Sequence, residues 1–410
     1  MDFFNKYFKF VGSNTESPVT YHRWATITAI GAILEKNYYL PFGHSKINPN
    51  LYTMLIGNPG TRKSSAIKLI TNLVIESGYT NIAADKTTKE KFLTDLSEIN
   101  KSDADSFTSF LDGELYTGDP ASVLISADEF NDFAGTGNLE FYALLGSLWD
   151  INKDYKYMTK TGEVIIPDPA ISLLGGNTPI GFASAFPSEI IGQGFFSRLL
   201  LIYGEPTGKK IAFPEEPDPK AKAEIIKFLM AIRANVRGKA EIAADARLAL
   251  EHIYENYTGV IDPRFESYTN RRFNQLVKLC LIHSAARLSK TISLEDVILS
   301  NTILTFTENF MPKALGEFGK AKHADATHKI MVALDSTIEP LSLQDLWKFV
   351  INDLDNLTEL ATIIRNLAEA DKIHRVDERG FLPKKKINHN LNGKYFDYSL
   401  LTPEEQALSY

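Results

Sequence analysis

The chain has 410 residues, enough for two or three domains of ordinary size. Hydrophobic residues make up 44% and charged residues 23%, as in soluble globular proteins, and no apolar run approaches the length of about 20 residues that crosses a bilayer. The formal net charge of −7 argues against a broad basic surface that coats nucleic acid, but it is compatible with a narrow basic channel.

The cysteine content and the first residues of the sequence indicate the cellular compartment. Cys280 is the only cysteine, so one chain can form neither a disulfide framework nor a cysteine-rich zinc site. Residues 1–6 lack the basic start and apolar stretch of a secretory signal. We therefore expect a cytoplasmic protein that does not associate with membranes.

The first half of the chain alternates apolar, strand-like runs with helical patterns. Residues 1–50 contain a helical stretch at about 21–34 and an extended run at 38–42, and we expect them to pack on a core formed by residues 51–213. The apolar runs that favour buried strands are residues 51–56, 122–127, 170–174 and 198–203. Because helical patterns lie between them, we predict an α/β fold with a parallel sheet over residues 51–213.

The second half is predicted to begin with helices. A proline-rich stretch at 214–219 forms the joint, and residues 214–320 form a helical domain. Residues 321–386 contain three helical patterns followed by a hairpin that turns at Glu378-Arg379-Gly380, which predicts a winged helix-turn-helix domain. We expect residues 387–410 to be a polar tail.

A glycine-containing loop joins the first strand to a helix at 65–77. Such a loop turns its backbone N–H groups towards a phosphate, and the helix adds the positive end of its dipole. In the standard pattern G-x-x-x-x-G-K-[ST] the lysine neutralises phosphate oxygens and the hydroxyl binds Mg²⁺, roles that fall here to Lys63 and Ser64. Arg62 stands where the pattern has its second glycine, so an ordinary strand–turn–helix connection is the alternative. The residues expected to contact a nucleotide are Gly57, Asn58, Pro59, Gly60, Thr61, Arg62, Lys63, Ser64 and Ser65.

Two acids follow the strand at 122–127. Asp128 would hold Mg²⁺ through water, and Glu129 would polarise the water that attacks the phosphate. A strand that ends in solvated acids is the plainer interpretation of this pair taken alone. The phosphate-binding loop upstream favours the catalytic interpretation.

Two further polar residues border the later strands. Asn177 follows the strand at 170–174 and would orient the water beside Glu129, although Asn before Thr-Pro also favours a turn. Arg198 opens the last strand, and its guanidinium would stabilise transition-state charge across a subunit boundary. A surface ion pair is the alternative role for this arginine.

The order of these motifs resembles that of the minichromosome maintenance helicases, whose phosphate loop also has a non-glycine residue before the lysine. The segments that carry the resemblance are residues 57–64, Asp128-Glu129-Phe130, Gly176-Asn177-Thr178-Pro179 and Phe196-Ser197-Arg198-Leu199. Residues 271–279 and 294–297 resemble the helical lid of that family. The resemblance implies a lid arginine that contacts nucleotide, either Arg272 or its neighbour Arg271.

An even closer resemblance is to phage and prophage P-loop ATPases of undefined function, which are often fused behind primase domains. It covers about residues 18–310, including Leu148-Trp149-Asp150, residues 169–177 and residues 194–198. This resemblance implies an AAA+ core with a helical lid, a ring that would be a hexamer, and ATP with Mg²⁺ bound between subunits. No primase domain precedes the ATPase in this sequence, so we expect a primase or other replication partner to be a separate protein, in the host cytoplasm if a phage encodes the chain.

The first candidate for DNA contact is a predicted hairpin at residues 155–165. A hairpin at this place in the helicases that the chain resembles projects into the ring channel. Lys156 and Lys160 would contact phosphates and Tyr155 or Tyr157 would stack on bases, on DNA that is single-stranded or forked. An ordinary surface hairpin is the alternative.

The second candidate is the cluster Lys384, Lys385 and Lys386 beside the predicted wing. Residues 321–410 contain 11 Lys+Arg and 14 Asp+Glu, a net charge of −3. This balance favours partner docking or light DNA contact over tight duplex binding.

Together these features predict an ATP-dependent DNA helicase or translocase of phage or prophage replication, which hydrolyses ATP at the subunit interfaces of a ring. Three alternatives stay open: a non-unwinding helicase loader or initiator, a nucleotide-gated winged-helix DNA-binding regulator, and a defence-associated ATPase.

Overall fold

The computed structural model describes residues 3–12, 15–99, 109–111, 114–116, 120–159, 162–186, 194–260, 262–316, 324–337, 339–369, 372–376, 380–383 and 393–408.

Helices and strands alternate in the first half of the chain. They are α1 (Phe3–Val11), α2 (Val19–Leu34), β1 (Tyr38–Phe42), β2 (Ser45–Ile47), β3 (Tyr52–Ile56), α3 (Lys63–Glu76), α4 (Lys89–Glu98), β4 (Ser109–Leu111), β5 (Glu114–Tyr116), β6 (Ser122–Ala127), α5 (Phe130–Ala134), α6 (Leu139–Leu148), β7 (Tyr155–Thr159), β8 (Gly162–Ile166), β9 (Ala170–Asn177), α7 (Pro179–Ala185), a 3₁₀ turn (Phe196–Arg198) and β10 (Leu199–Tyr203).

Helices predominate in the second half. The elements are α8 (Pro219–Asn235), β11 (Gly238–Lys239), β12 (Glu241–Ile242), α9 (Ala244–Asn256), a 3₁₀ turn (Pro263–Phe265), α10 (Glu266–Thr269), α11 (Arg272–Ala286), β13 (Thr291–Ile292), α12 (Leu294–Leu315), α13 (Ala324–Asp335), α14 (Leu343–Val350), α15 (Leu357–Glu369), β14 (Ile373–Val376), β15 (Gly380–Pro383), a 3₁₀ turn (Tyr398–Leu400) and α16 (Pro403–Leu408).

A four-stranded, all-parallel sheet in the order β10-β3-β9-β6 lies at the centre of the first half. The central strands β3 and β9 are buried along their whole length, as continuous apolar runs in parallel sheets are. Helices α2 and α3 pack against each other and against β9. The predicted α/β class with a parallel sheet is therefore confirmed.

The helices that come after the sheet share its hydrophobic core. Helix α11 packs on α2, and α12 packs on β10, within one continuous cluster of buried side chains. From Gln275 to Ala286 every residue of α11 is buried, and a helix that is covered on all sides lies inside a core. The region predicted as a helical domain at 214–320 is thus packed directly into the sheet unit.

A second hydrophobic cluster is formed by α13, α14, α15 and the antiparallel pair β14–β15. Phe381 of β15 also bridges to Leu341, which precedes α14. The three helices and the strand pair appear in the predicted chain order. Their core is separate from that of the sheet unit.

The described part of the predicted polar tail differs from the prediction, because residues 393–408 pack against the sheet unit. Glu405 forms a buried two-point ion pair with Arg23 of α2, with N–O distances of 2.8 and 2.7 Å. Nearby, Val19 N donates to Glu404 Oε1 (2.8 Å), and Asn301 Nδ2 of α12 donates to Tyr395 O (2.8 Å). We call residues 393–408 the C-terminal strap.

Among the described residues, none of the helices combines the length and hydropathy that crossing a membrane requires.

Candidate functional site

Three of the predicted motifs meet at the carboxyl edge of the sheet. The strands β3, β6 and β9 run parallel, with Ile56 opposite Asn177 and Ala127 opposite Gly175. The loop, the acidic pair and Asn177 therefore lie at neighbouring strand ends. The first residue of the loop, Gly57, donates its N–H to Asn177 O (3.3 Å).

The loop from Gly57 to Ser64 curls around its own lysine. Lys63 Nζ lies 2.8 Å from Gly57 O, 3.3 Å from Asn58 O and 3.3 Å from Thr61 Oγ1. Helix α3 begins at Lys63, so its first N–H groups border the loop. Burial lowers the pKa of Lys63, and the Glu129 carboxylate opposes that effect. A buried cation beside the first N–H groups of a helix is suited to bind a phosphate.

Tyr21 of α2 holds the start of the loop, a contact that the sequence did not reveal. Its hydroxyl donates to Ile56 O (2.8 Å) and to Gly204 O (3.1 Å), which joins the ends of β3 and β10. A Cβ atom at Gly57 would collide with this hydroxyl, so only glycine fits at the first loop position.

Arg62 adopts the left-handed conformation that the missing glycine would favour, with φ 60° and ψ 34°. This left-handed backbone costs a residue with a side chain about 1–2 kcal/mol in conformational energy. The guanidinium turns to Glu16, with Nε and Nη2 at 2.7 and 2.6 Å from Oε2. The side chain is thus held on the N-terminal segment of the same chain.

The acidic pair is positioned by the aromatic residue after it. Phe130 is fully buried and stacks on Phe186 and Phe195, which anchors the chain immediately after Glu129. Partial burial raises the pKa of Glu129; the Lys63 ammonium opposes this rise, and Asp132 and Asp128 add to it. A carboxylate with a raised pKa near a lysine is suited to accept a proton from water.

Asp128 forms an ion pair with Lys68, which lies on α3 and was not predicted as a site residue. Lys68 Nζ is 2.5 Å from Asp128 Oδ2. The main chain of β9 approaches closely, since a Cβ at Gly176 would collide with Asp128 O. Asp128 therefore lies between helix α3 and strand β9.

The residues predicted to hold Mg²⁺ fit that ion. Ser64 lies in the first turn of α3, and Lys68 of the same helix contacts Asp128. The Ser64 hydroxyl and the Asp128 carboxylate therefore lie at the same edge of the sheet. No group of three or more His, Cys, Asp or Glu that could bind a metal by itself occurs among the described residues. Hydroxyl and carboxylate oxygens are the kind of ligand that Mg²⁺ prefers.

Asn177 is buried and its amide is oriented by hydrogen bonds. Its Nδ2 donates to Asn131 Oδ1 (2.8 Å) and its Oδ1 accepts from Thr178 N (2.9 Å). Asn131 in turn donates to Gly181 O (3.0 Å). Asn131 lies two residues after Glu129 on a one-turn helix, a position that sequence reasoning missed.

Arg198 lies at the opposite edge of the sheet from the loop. Leu199, the residue after Arg198, pairs with Tyr52, the first residue of β3. The loop, in contrast, follows Ile56, the last residue of β3. Because β3 has 5 residues that each rise about 3.3 Å, the two edges are about 16 Å apart. Within one chain Arg198 is therefore not brought together with Lys63.

Arg198 and Arg271 form a pair of neighbouring cations at this amino edge. Arg198 donates to Gly194 O and lies over Trp149, with Cζ 5.6 Å from the ring centre. Arg271 Nε donates to Ser197 Oγ (2.8 Å). Burial lowers the pKa of Arg198, and the Arg271 guanidinium lowers it further.

Arg272 does not have the position expected for a lid arginine that contacts nucleotide. It is 1% exposed, and its guanidinium donates to Glu308, Asn301 and Thr305 at 2.8–3.0 Å. A buried guanidinium committed to an ion pair serves the packing of α11 on α12. Of the two alternatives, only Arg271 reaches the neighbourhood of Arg198.

The predicted hairpin at 155–165 is confirmed, since β7 and β8 pair antiparallel from Tyr155 opposite Ile166 to Thr159 opposite Gly162. Lys156 and Met158 are exposed on β7. Lys160 and the cluster Lys384, Lys385 and Lys386 lie outside the described residues.

Searches of family models and of curated protein sequences returned no match to this chain.

Proposed function

We propose that this chain is a P-loop ATPase with an AAA+ core, which works as an ATP-dependent DNA helicase or translocase in phage or prophage replication. The observation that carries the proposal is the meeting of Lys63, Glu129 and Asn177 at one edge of a parallel sheet. Loop geometry supports it as well, because Arg62 has a left-handed backbone conformation that a glycine at this position would adopt readily.

In the proposed reaction, water attacks the γ-phosphorus of ATP, the bond to the bridging oxygen breaks, and ADP leaves with the electron pair. Glu129 accepts the proton of the water, and Asn177 orients that water. Lys63 turns from its loop carbonyls to the phosphate oxygens. Bound Mg²⁺, held by Ser64 and Asp128, would neutralise charge on the β- and γ-phosphates.

A ring of subunits explains the location of Arg198. An arginine about 16 Å from its own loop cannot act on the nucleotide bound there. In a head-to-tail ring the amino edge of one subunit would face the carboxyl edge of the next. Arg198 and Arg271 would then supply two cations to the neighbour's γ-phosphate, and a hexamer is the ring that the resemblance implies.

DNA would be contacted by the β7–β8 hairpin. Lys156 is exposed there beside the half-buried aromatic residues Tyr155 and Tyr157. This combination of cation and aromatic rings suits single-stranded or forked DNA. The unit 324–383 would be a winged helix, an interpretation supported by three helices followed by an antiparallel strand pair.

The test is unwinding of a forked DNA in the presence of ATP by the full chain, compared with Lys63→Ala. We expect ATP-dependent strand separation that Lys63→Ala abolishes, because the variant lacks the phosphate-binding cation. Hydrolysis of ATP without any strand separation would contradict the helicase proposal and favour a loader or initiator. Sequence-specific duplex binding that survives Lys63→Ala would favour the winged-helix regulator.

A further inference from the structure

Trp149 is a buried indole at the amino edge of the sheet, directly after helix α6. Only 1% of its surface is exposed. Two cations lie over its ring: Lys278 Nζ is 4.3 Å and Arg198 Cζ is 5.6 Å from the ring centre. Both distances fall within the range of about 6 Å over which an aromatic face attracts a cation, and tryptophan does so most strongly.

The position of the indole is fixed by the start of strand β3. Asn50 Nδ2 donates to Trp149 O (2.7 Å) and to Ile171 O (3.0 Å). The ring of Tyr52 meets the indole edge-on, with ring centres 6.5 Å apart, and the Tyr52 hydroxyl donates to Leu145 O of α6 (2.8 Å). The ring is thus held in place by contacts that do not involve Arg198.

The Arg198 guanidinium, in contrast, has few contacts that fix its direction. It donates to Gly194 O, its Nε is buried without a hydrogen-bond partner, and it forms no ion pair in the part of the chain that the structure describes. Asp150, the residue after Trp149, pairs with Lys278 instead (3.1 Å). The direction of the guanidinium therefore depends on the Gly194 carbonyl and the Trp149 ring, and its charge stays available for an anion.

We propose that Trp149 is a positioning residue for Arg198, and that its ring holds the guanidinium in the direction that meets the nucleotide of a neighbouring subunit. The inference rests on the proposed function, because it assumes that Arg198 acts across a subunit boundary. Trp149 lies at the edge opposite its own loop, about 16 Å away, and cannot act on a nucleotide bound there. Its effect passes through Arg198 to the neighbour's ATP site.

The first part of the test is steady-state ATP hydrolysis by the full chain with Trp149→Leu, which keeps an apolar side chain but removes the aromatic face. We expect kcat to fall about tenfold, since a small misplacement of a catalytic group costs that much, and the KM for ATP to stay within about twofold. Trp24→Leu is the matched control, because Trp24 is fully buried as well but has no cation over its ring among the described residues. We expect this control to lose stability in thermal unfolding and to keep its kcat below the unfolding temperature.

Mixing of variants shows whether Trp149 acts through the arginine of its own subunit. An equimolar mixture of Trp149→Leu with Lys63→Ala should reach about a quarter of the unaltered activity, because about one interface in four combines an intact Lys63 with an intact Trp149 and Arg198. A mixture with Arg198→Ala should stay below the activity of Trp149→Leu alone, because no subunit then supplies a positioned arginine. A side chain that is needed only for folding gives no such difference.

Trp149→Phe decides the matter if Trp149→Leu does not fold. Phenylalanine keeps the packing of a ring but attracts a cation less strongly, so we expect kcat to fall about threefold. Added to Arg198→Ala, the same substitution should change nothing, because the ring acts through the guanidinium.

An unchanged kcat in the folded Trp149 variants would overturn the inference. Recovery in both mixtures, or in neither, by folded Trp149→Leu would overturn it too. In these cases the proposed function would stand, provided that Arg198→Ala is inactive. Full activity of Arg198→Ala, or no ATP hydrolysis by the unaltered chain, would instead contradict the proposed function, and the inference would fall with it.

Discussion

Lys68 of helix α3 and Asp128, the residue after strand β6, form an ion pair of 2.5 Å. The lysine reaches the carboxylate that we assign to Mg²⁺, so a protein cation and a metal ion would compete for the same oxygens. Lys68 is 68% exposed, which lets it swing away at small energetic cost.

Substitution Lys68→Ala is expected to lower the Mg²⁺ concentration that gives half-maximal ATP hydrolysis by about 1.4- to fivefold. Exposed ion pairs are worth about 0.2–1 kcal/mol, which sets this range. The measurement is ATPase rate against free Mg²⁺. Lys91→Ala is the matched control, since Lys91 forms a similar exposed pair with Asp95 at 2.5 Å on α4. An unchanged or higher midpoint in Lys68→Ala would refute competition.

The pH dependence of hydrolysis should report the environment of Glu129. Its pKa is raised above the ordinary 4.5 by burial and neighbouring carboxylates, so the base is lost by protonation at a higher pH than usual. Asp132→Asn removes one of the charges that raise this pKa. In this variant we expect the acidic limb of the plot of kcat against pH to move to lower pH. The control variant Asp95→Asn, on α4, should leave the limb where it is in the unaltered chain. A limb that does not move in Asp132→Asn would contradict the role of Glu129 as base.

The stability of the amino edge should depend on Lys278. This side chain is fully buried and donates to Asn48 O (2.8 Å) and Asn50 Oδ1 (2.7 Å), with Asp150 at 3.1 Å. Lys278→Met leaves acceptors unpaired, and we expect a loss of about 2–4 kcal/mol in the free energy of unfolding. Urea unfolding measures this loss, with Lys227→Met, an exposed position on α8, as the control. Equal stability of the two variants would show that the lysine contributes nothing.

The C-terminal strap should detach in acid. Burial raises the pKa of Glu405, but the Arg23 guanidinium and Thr402 outweigh it, so the net pKa lies below 4.5. The ion pair therefore stabilises the fold fully above about pH 5, and its contribution is lost as the pH falls through the folded-state pKa. Glu405→Gln should remove this acid-dependent step in thermal unfolding and expose the strap to protease at neutral pH.

Glu404→Gln is the comparison for that experiment. The Glu404 carboxylate is partly exposed. Its Oε2 lies 3.3 Å from Lys209 Nζ, and its Oε1 accepts a hydrogen bond from Val19 N. We expect a smaller loss of stability than in Glu405→Gln, because no buried arginine is left unpaired. Protease resistance of the strap in Glu405→Gln equal to that of the unaltered chain would refute its anchoring role.

Local sequence patterns were sufficient to predict the parallel sheet and the location of three motifs at its carboxyl edge. Each strand is a short apolar run, and parallel strands bring their carboxyl ends together. The hairpin β7–β8 was likewise predictable from alternation.

Contacts between distant residues were beyond the reach of those patterns. Arg23 and Glu405 are 382 positions apart, so the strap resembled a polar tail. Arg272 is next to Arg271 in sequence, and only the packing of α11 on α12 shows which one is buried. The partner of Arg62 is 46 positions away, and no motif includes it.

Mixing two inactive variants tests the central claim most directly. Lys63→Ala removes the cation that we assign to the phosphates, and Arg198→Ala removes the cation that we assign to the neighbouring subunit's site. We expect each variant alone to lose at least about 100-fold in ATPase activity, since a donor aimed at transition-state charge is worth that much.

In an equimolar mixture, random assembly leaves about one interface in four with both residues intact, so ATPase activity should recover to about a quarter of the unaltered level. A mixture no more active than either variant alone, or full activity of Arg198→Ala by itself, would contradict an ATP site shared between subunits.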